Sequence, residues 1–341
     1  MLHGIKMAAL GLGVSLLATL GGCGKSDSTS GTAAGGGDGK GKIVIGMVAK
    51  SQSNDVFQAA YAGAKDAAKE LGAKYGREVT IDWRTPTDED QTKQVQAIEA
   101  LTRDNVAAIL VSCSEAATLT PAIDAAVDKG VPVMCFDSDA PASKRFAFYG
   151  TDDAACGQVI TEALAKAMGG KGTIAILAGN QSAPNLQNRV KGAKDELAKH
   201  KDMKLLEASG GVFYHEETPE KSAEAVATAT NANPQIQGWV FVGGWPLFTQ
   251  NALKWEPGKI KVASCDALPA QLGYIKDGHV DTLFAQDCYG WGYKSVETVL
   301  AKLIDKKDPA QVKIVDPLQK VTKENVDEFG KNWDKWLGKK G

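Results

Sequence analysis

From Lys42 onward the chain repeats one motif: an apolar run of strand length, then a stretch whose apolar residues recur at helical spacing. Residues 42–48 (KIVIGMV) form the first run. Phe57, Ala60, Ala64, Ala67, Ala68 and Leu71 follow as a helical stripe closed by Gly72, a residue suited to a helix C-cap. Residues 79–83 and 107–111 read as strands around a helix marked by Val95, Ile98 and Leu101. Leu119, Ala122, Ile123, Ala126 and Val127 mark another helix, and residues 131–136 a fourth strand. After Gly150 the rhythm restarts: a helix over 156–168, a strand over 172–177, then strands near Leu205, Val240, Val262 and Leu283. Strands without polar alternation are buried on both faces, and their alternation with helices predicts parallel sheets. The expected fold is therefore α/β: two doubly wound parallel-sheet lobes joined by a hinge of strand crossovers. In such sheets a ligand lies beyond the carboxyl ends of the strands.

The N-terminus is of a different kind. Lys6 precedes an apolar run over 7–20, too short to span a bilayer and suited to a secretory signal. It ends in Leu20-Gly21-Gly22-Cys23, which resembles the lipobox of bacterial lipoproteins. Residues 1–22 are thus expected to be a signal peptide and Cys23 to be lipidated, anchoring an exported protein to a membrane. Residues 24–41 carry no large apolar side chain and predict a flexible tether. Residues 36–42 imitate a phosphate-binding G-x-x-x-x-G-K, but Ile43 stands where Ser or Thr would hold magnesium, and the glycines precede a strand rather than follow one.

Composition narrows the classes. The formal net charge of −2 gives no reason to expect nucleic acid. Beyond Cys23, the cysteines Cys113, Cys135, Cys156, Cys265 and Cys288 fall mostly on apolar strand ends and read as small core residues, although an oxidising compartment would also allow one bridge. The four histidines are scattered, and His215-Glu216-Glu217-Thr218-Pro219 opens like a zinc-protease helix but lacks the second His. No metal site, cofactor motif or catalytic triad is indicated, so no enzyme is expected.

The strand ends, by contrast, are rich in groups that pair with vicinal hydroxyls. Lys50, Ser51, Ser53, Asn54 and Phe57 follow the first strand, and Asp137-Ser138-Asp139 the fourth. Asn185 and Arg189 follow the first strand of the second unit, and Phe213 and Tyr214 come later. Trp245, Asp266 and Gln286-Asp287 close the list of strand ends. Several have structural alternatives. Asn54 is placed to cap the helix opening at Val56, Phe57 to pack in the core, and Arg189 to pair with Glu196.

Residues 42–72, the Asp137-Ser138-Asp139-Ala140-Pro141 stretch, Gly150-Thr151-Asp152, Asn188-Arg189 with Gly192, Cys265-Asp266-Ala267 and Asp277-Gly278-His279 running to Gln286 together resemble the type I periplasmic sugar-binding proteins. The likeness covers nearly the whole chain after the tether, in order. It implies an extracytoplasmic lipoprotein that captures a monosaccharide or sugar-like solute between its lobes and delivers it to an ABC permease. The alternative is a sensing subunit that presents the solute to a signalling receptor. It implies a monomer without cofactors, with lobes over 42–149 plus 287–312 and 150–286 plus 313–341. By position it implies ligand contacts at Asn54, Phe57, Asp137, Arg189, Asp266 and Gln286, to which the strand ends add Lys50, Asp139, Asn185, Tyr214 and Trp245. Ser138 and Gly244 depart from the ribose-binding pattern, whereas Lys50, Asp137-Ser138-Asp139 and Thr85-Pro86-Thr87 with Gln94-Val95 are similar to rhamnose- and autoinducer-2-type proteins.

Overall fold

The computed structural model describes residues 41–336, so the signal, Cys23 and nearly all of the tether lie outside the described residues. Strand β1 (Ile43–Val48) leads to α1 (Asp55–Tyr75), β2 (Val79–Trp83), α2 (Gln91–Arg103), β3 (Ala108–Val111), α3 (Ala116–Asp128), β4 (Val133–Phe136) and β5 (Ala147–Gly150). These strands pair in parallel in the order β2-β1-β3-β4-β5. β3, β4 and β5 are buried throughout, as continuous apolar runs require.

The second unit repeats the pattern. It comprises α4 (Asp153–Ala167), β6 (Lys171–Ala178), α5 (Pro184–Leu197), β7 (Asp202–Leu205), β8 (Val212–Tyr214), α6 (Pro219–Ala232), β9 (Ile236–Phe241), β10 (Lys261–Cys265), α7 (Pro269–Lys276) and β11 (Thr282–Ala285). Its main strands run β7-β6-β9-β10-β11 in parallel, the same order as in the first sheet, with short β8 also pairing with β6. The chain then returns through α8 (Cys288–Leu303) and β12 (Lys313–Val315) to the first sheet, and finishes with β13 (Gln319–Val321) and α9 (Val326–Trp336).

One expected boundary moves. Lys313–Val315 was assigned by sequence to the second lobe, but β12 pairs in parallel with β5 on the edge of the first sheet, and Phe148 N–H donates to the carbonyl of Val312 at 2.7 Å. The third crossover therefore follows Val315. β13 then lies antiparallel against β11 as the edge of the second sheet. Both last strands are three residues long and mostly exposed or half-buried, so they carry no apolar run for a sequence reading to catch.

Two helix crossings fix the frame around the cleft. A Cβ on Gly63 of α1 would lie 2.0 Å from the Tyr289 carbonyl oxygen, and one on Gly292 of α8 would lie 1.7 Å from that of Ala60. The second unit repeats the device, with Gly157 of α4 against the Arg189 carbonyl (1.9 Å) and Gly192 of α5 against that of Ala154 (2.0 Å). Only hydrogen in place of a side chain lets these backbones approach so closely.

Candidate ligand-binding cleft

The carboxyl ends of both sheets face one small cavity of about 30 Å³. On the first-sheet side its wall is made by Lys50 beyond β1, Asn54 and Phe57 at the start of α1, Asp137 beyond β4, and Trp291 of α8. On the second-sheet side it is made by Asn185 and Arg189 of α5, Glu217 just before α6, Trp245 beyond β9, Asp266 beyond β10 and Gln286 beyond β11.

Two hydrogen-bonded networks converge there. In the first, Asp137 accepts from Ser112 Oγ at 2.7 Å and from Asn185 Nδ2 at 3.4 Å, while the Asn185 oxygen accepts from Lys50 Nζ at 3.3 Å. This chain bridges the two sheets, because Asn185 belongs to one and its partners to the other. In the second, Arg189 donates to Asp153 at 2.9 Å, to the Val242 carbonyl at 3.0 Å and to Gln286 Oε1 at 2.7 Å. Gln286 in turn donates to Asp266 at 2.7 Å and accepts from Thr151 at 2.9 Å. The other Asp266 oxygen accepts from the Gly244 N–H at 3.1 Å. The cleft is closed, and the bonds across it leave little space.

The carboxylates of Asp137 and Asp266 are held alike. Each residue follows a central strand, each adopts a left-handed backbone (φ 56° and 64°), and each N–H donates to the neighbouring strand, at Tyr149 and Phe284. Asp is among the few residues that tolerate this conformation. The left-handed turn lifts the carboxylate off the strand end, and the two sheets present it at corresponding places.

Burial shapes the charges. Lys50 is 2 % exposed, and its ammonium donates to the Asn185 oxygen. Burial works against its ammonium, but Glu217, Glu89 and Asp137 outweigh that and hold its pKa above the ordinary lysine value. Burial pushes the Glu217 carboxyl up to about 7 against the pull of Lys50, and the Asp153 carboxyl up to about 6 against that of Arg189. Asp266 is raised by burial as well. The cavity thus mixes firm donors with carboxylates that accept, and Glu217 is able near neutrality to do either.

The chain matches the family profile described as periplasmic binding protein domain over residues 45–339. It belongs to the periplasmic binding protein family. This binding protein is 26% identical over 252 residues to a xylitol-binding protein of Mycolicibacterium smegmatis, covering 73% of this chain and 70% of that one. It is 25% identical over 292 residues to a D-ribose/D-allose-binding protein of Pseudomonas aeruginosa, covering 82% and 88%. Among solved structures, it resembles an ABC transporter solute-binding protein of Burkholderia graminis in complex with D-arabinose, with a TM-score of 0.75, 28% identity and coverage of 85% and 98%. A carbohydrate transporter solute-binding protein of Agrobacterium radiobacter, also with D-arabinose, gives a TM-score of 0.76 at 25% identity, covering 85% and 98%. These relatives are sugar or polyol binders and not enzymes, and the family to which this chain belongs is extracytoplasmic.

Of the side chains singled out by sequence, Lys50, Asn54, Phe57, Asp137, Asn185, Arg189, Trp245, Asp266 and Gln286 line the cavity of this binding protein. Asn54 does double service, since its oxygen also caps α1 by accepting from Val56 N–H at 3.2 Å. Phe57 is buried and packs on Trp291 with ring centroids 6.1 Å apart, so it is both core and wall. Arg189 pairs with Asp153 and not with Glu196, which holds Lys199 and His200 instead.

Two residues are not brought in. Asp139 is gripped by both arms of Arg145 and does not reach the cavity. Tyr214 stands 44 % exposed at the rim of a separate outer cavity. Sequence reasoning missed Glu217 and Trp291. Glu217 follows β8, a three-residue strand without its own signal, and Trp291 lies five residues beyond Gln286 on a helix, outside any survey of strand ends. The five described cysteines are buried and unbridged, with the Cys156 and Cys265 sulfurs 3.6 Å apart, too far for a disulfide. No described helix is long and apolar enough to cross a membrane.

Proposed function

We propose that this protein captures a neutral monosaccharide or polyol between its lobes and delivers it to an ABC permease, working as a monomer tethered through Cys23. The observation that carries this reading is the pair of opposed polar networks centred on Asp137 and Asp266, walled by Phe57, Trp245 and Trp291. Each bond across the cleft joins a donor to an acceptor, and a hydroxyl, being both, can replace either partner. Vicinal hydroxyls pair with a carboxylate or an amide two at a time, while an aromatic wall packs on the apolar face of a sugar ring. Entry requires the lobes to part, and closure then buries the solute, so the solute must favour the closed state. The ligands of the relatives described above, xylitol, ribose, allose and arabinose, are of this class.

A thermal-shift panel of pentoses, hexoses, deoxysugars and polyols tests the reading. A true solute raises the melting temperature as it saturates the protein, and Asp266→Asn should abolish most of that rise. A panel with no response would overturn the sugar assignment.

A further inference from the structure

Beside the inner cavity lies a second one of about 550 Å³, lined by Ser51, Ser53, Gln91, Asn180, Gln181 and Tyr214 together with His215 and four carboxylates. The two share Glu217 as a common wall. Their partition is thin: the His215 ring of the outer cavity meets the Trp245 ring of the inner one edge-on, with centroids 5.0 Å apart. The outer cavity by itself has the volume of a small-molecule site, whereas the inner one is far smaller.

We infer that the outer cavity is a second subsite, and that the solute carries a second neutral sugar ring or polyol arm there. This rests on the sugar-binding reading of the inner cavity and extends it to a larger solute. Three features support it. Carboxylates and primary amides dominate the polar lining, and these groups take vicinal hydroxyls in pairs. Tyr214 offers an exposed aromatic face on the rim, where ring packing adds to binding. The Nε2 of His215, a residue of this lining, is buried without a hydrogen-bond partner. The charge fixes the class further. Asp88, Glu89, Glu216 and Glu217 line this cavity and, among the described residues, no lysine or arginine does, so an outer ring bearing a carboxylate or phosphate is rejected.

Calorimetric titration with matched pairs tests the inference: D-xylose against xylobiose, D-glucose against gentiobiose, and D-galactose against melibiose. At least one disaccharide should bind more tightly than its own monosaccharide. Tyr214→Ala should weaken that disaccharide by about tenfold while leaving the monosaccharide within about twofold. A glucuronic acid residue in place of the outer ring should also weaken binding by at least about tenfold. Monosaccharides that bind while every disaccharide fails would overturn the second subsite and leave the inner site standing. So would a Tyr214→Ala effect equal on both members of a pair. Failure of both members in all three pairs counts against the inner-site reading and removes this one with it.

Discussion

Asp137 and Asp266 show how a single residue can carry a backbone duty and a ligand duty together. A left-handed backbone costs most L-residues roughly 1–2 kcal/mol, and Asp and Asn much less. Asp266→Asn keeps the left-handed turn but turns its amide nitrogen toward the Gly244 N–H or the Gln286 amide, so it should lose about 1 kcal/mol of stability and roughly tenfold to a hundredfold in solute affinity, the value of a charge-assisted hydrogen bond. Asp266→Ala should bind equally poorly and lose about 1 kcal/mol more stability than the Asn variant. Titration calorimetry with chemical denaturation separates the two, and equal stabilities for Asn and Ala variants would remove the backbone duty. Glu217 gives a second prediction. Its folded carboxyl titrates at about 7 against an ordinary 4.5, so the folded chain binds this proton more tightly than the unfolded one. The stability it contributes is complete below about 4.5 and is lost as pH rises through about 7. Asp153, raised to about 6, acts in the same direction. The melting temperature of the solute-free protein should fall from about pH 5 to about pH 8, and Glu217→Gln should flatten the upper part of that fall. An identical pH profile in the variant would acquit Glu217.

At the scale of elements, the cleft is aimed by helices whose spacing glycines set. Gly157 and Gly192 seat α5 on α4, and α5 carries both Asn185 and Arg189. A methyl group at Gly192 would press on the Ala154 carbonyl 2.0 Å away, which is backbone and cannot swing aside. Gly192→Ala should therefore cost about 1–3 kcal/mol, as overpacking does, and should lower solute affinity although residue 192 does not line the cavity. Denaturation and calorimetry read the two losses, and unchanged affinity at lowered stability would show that α5 does not transmit the strain. The elements were legible where burial was complete: β3 and β4 appear in the sequence as unbroken apolar runs. β8, β12 and β13 were not, because each has three residues and at most one is buried. Two departures around the cavity have separate causes. Missing β8 hid Glu217, and Asp139 looked equivalent to Asp137 until Arg145, six positions on, was found to claim it. What a neighbour in space removes from a site, a neighbour in sequence rarely announces.

For the whole molecule, the question is what holds the lobes together. Besides the inner chain through Asn185, Asn180 Nδ2 beyond β6 donates across the mouth to Glu89 beyond β2 at 3.1 Å. One such bond is worth about 1 kcal/mol, or roughly a fivefold shift between closed and open forms. Small-angle scattering of solute-free Asn180→Ala should show a larger radius of gyration than wild type, and saturating solute should draw it back. An identical radius in both proteins, with and without solute, would rule out a hinge motion. The two-lobe plan itself was plain from the repeated rhythm, whereas the strand order that the two sheets share is seen only in the structure.

The final strands have a consequence for how the chain is made. β12 completes the edge of the first sheet and β13 that of the second, and both lie within residues 313–321. Neither sheet has its last strand until residues 313–321 have emerged. A product cut short before residue 313 would carry two unfinished edges, each a template for pairing with another chain. Synthesis of this protein is therefore safest when the last segment arrives quickly, and its truncated forms are the ones most prone to aggregate.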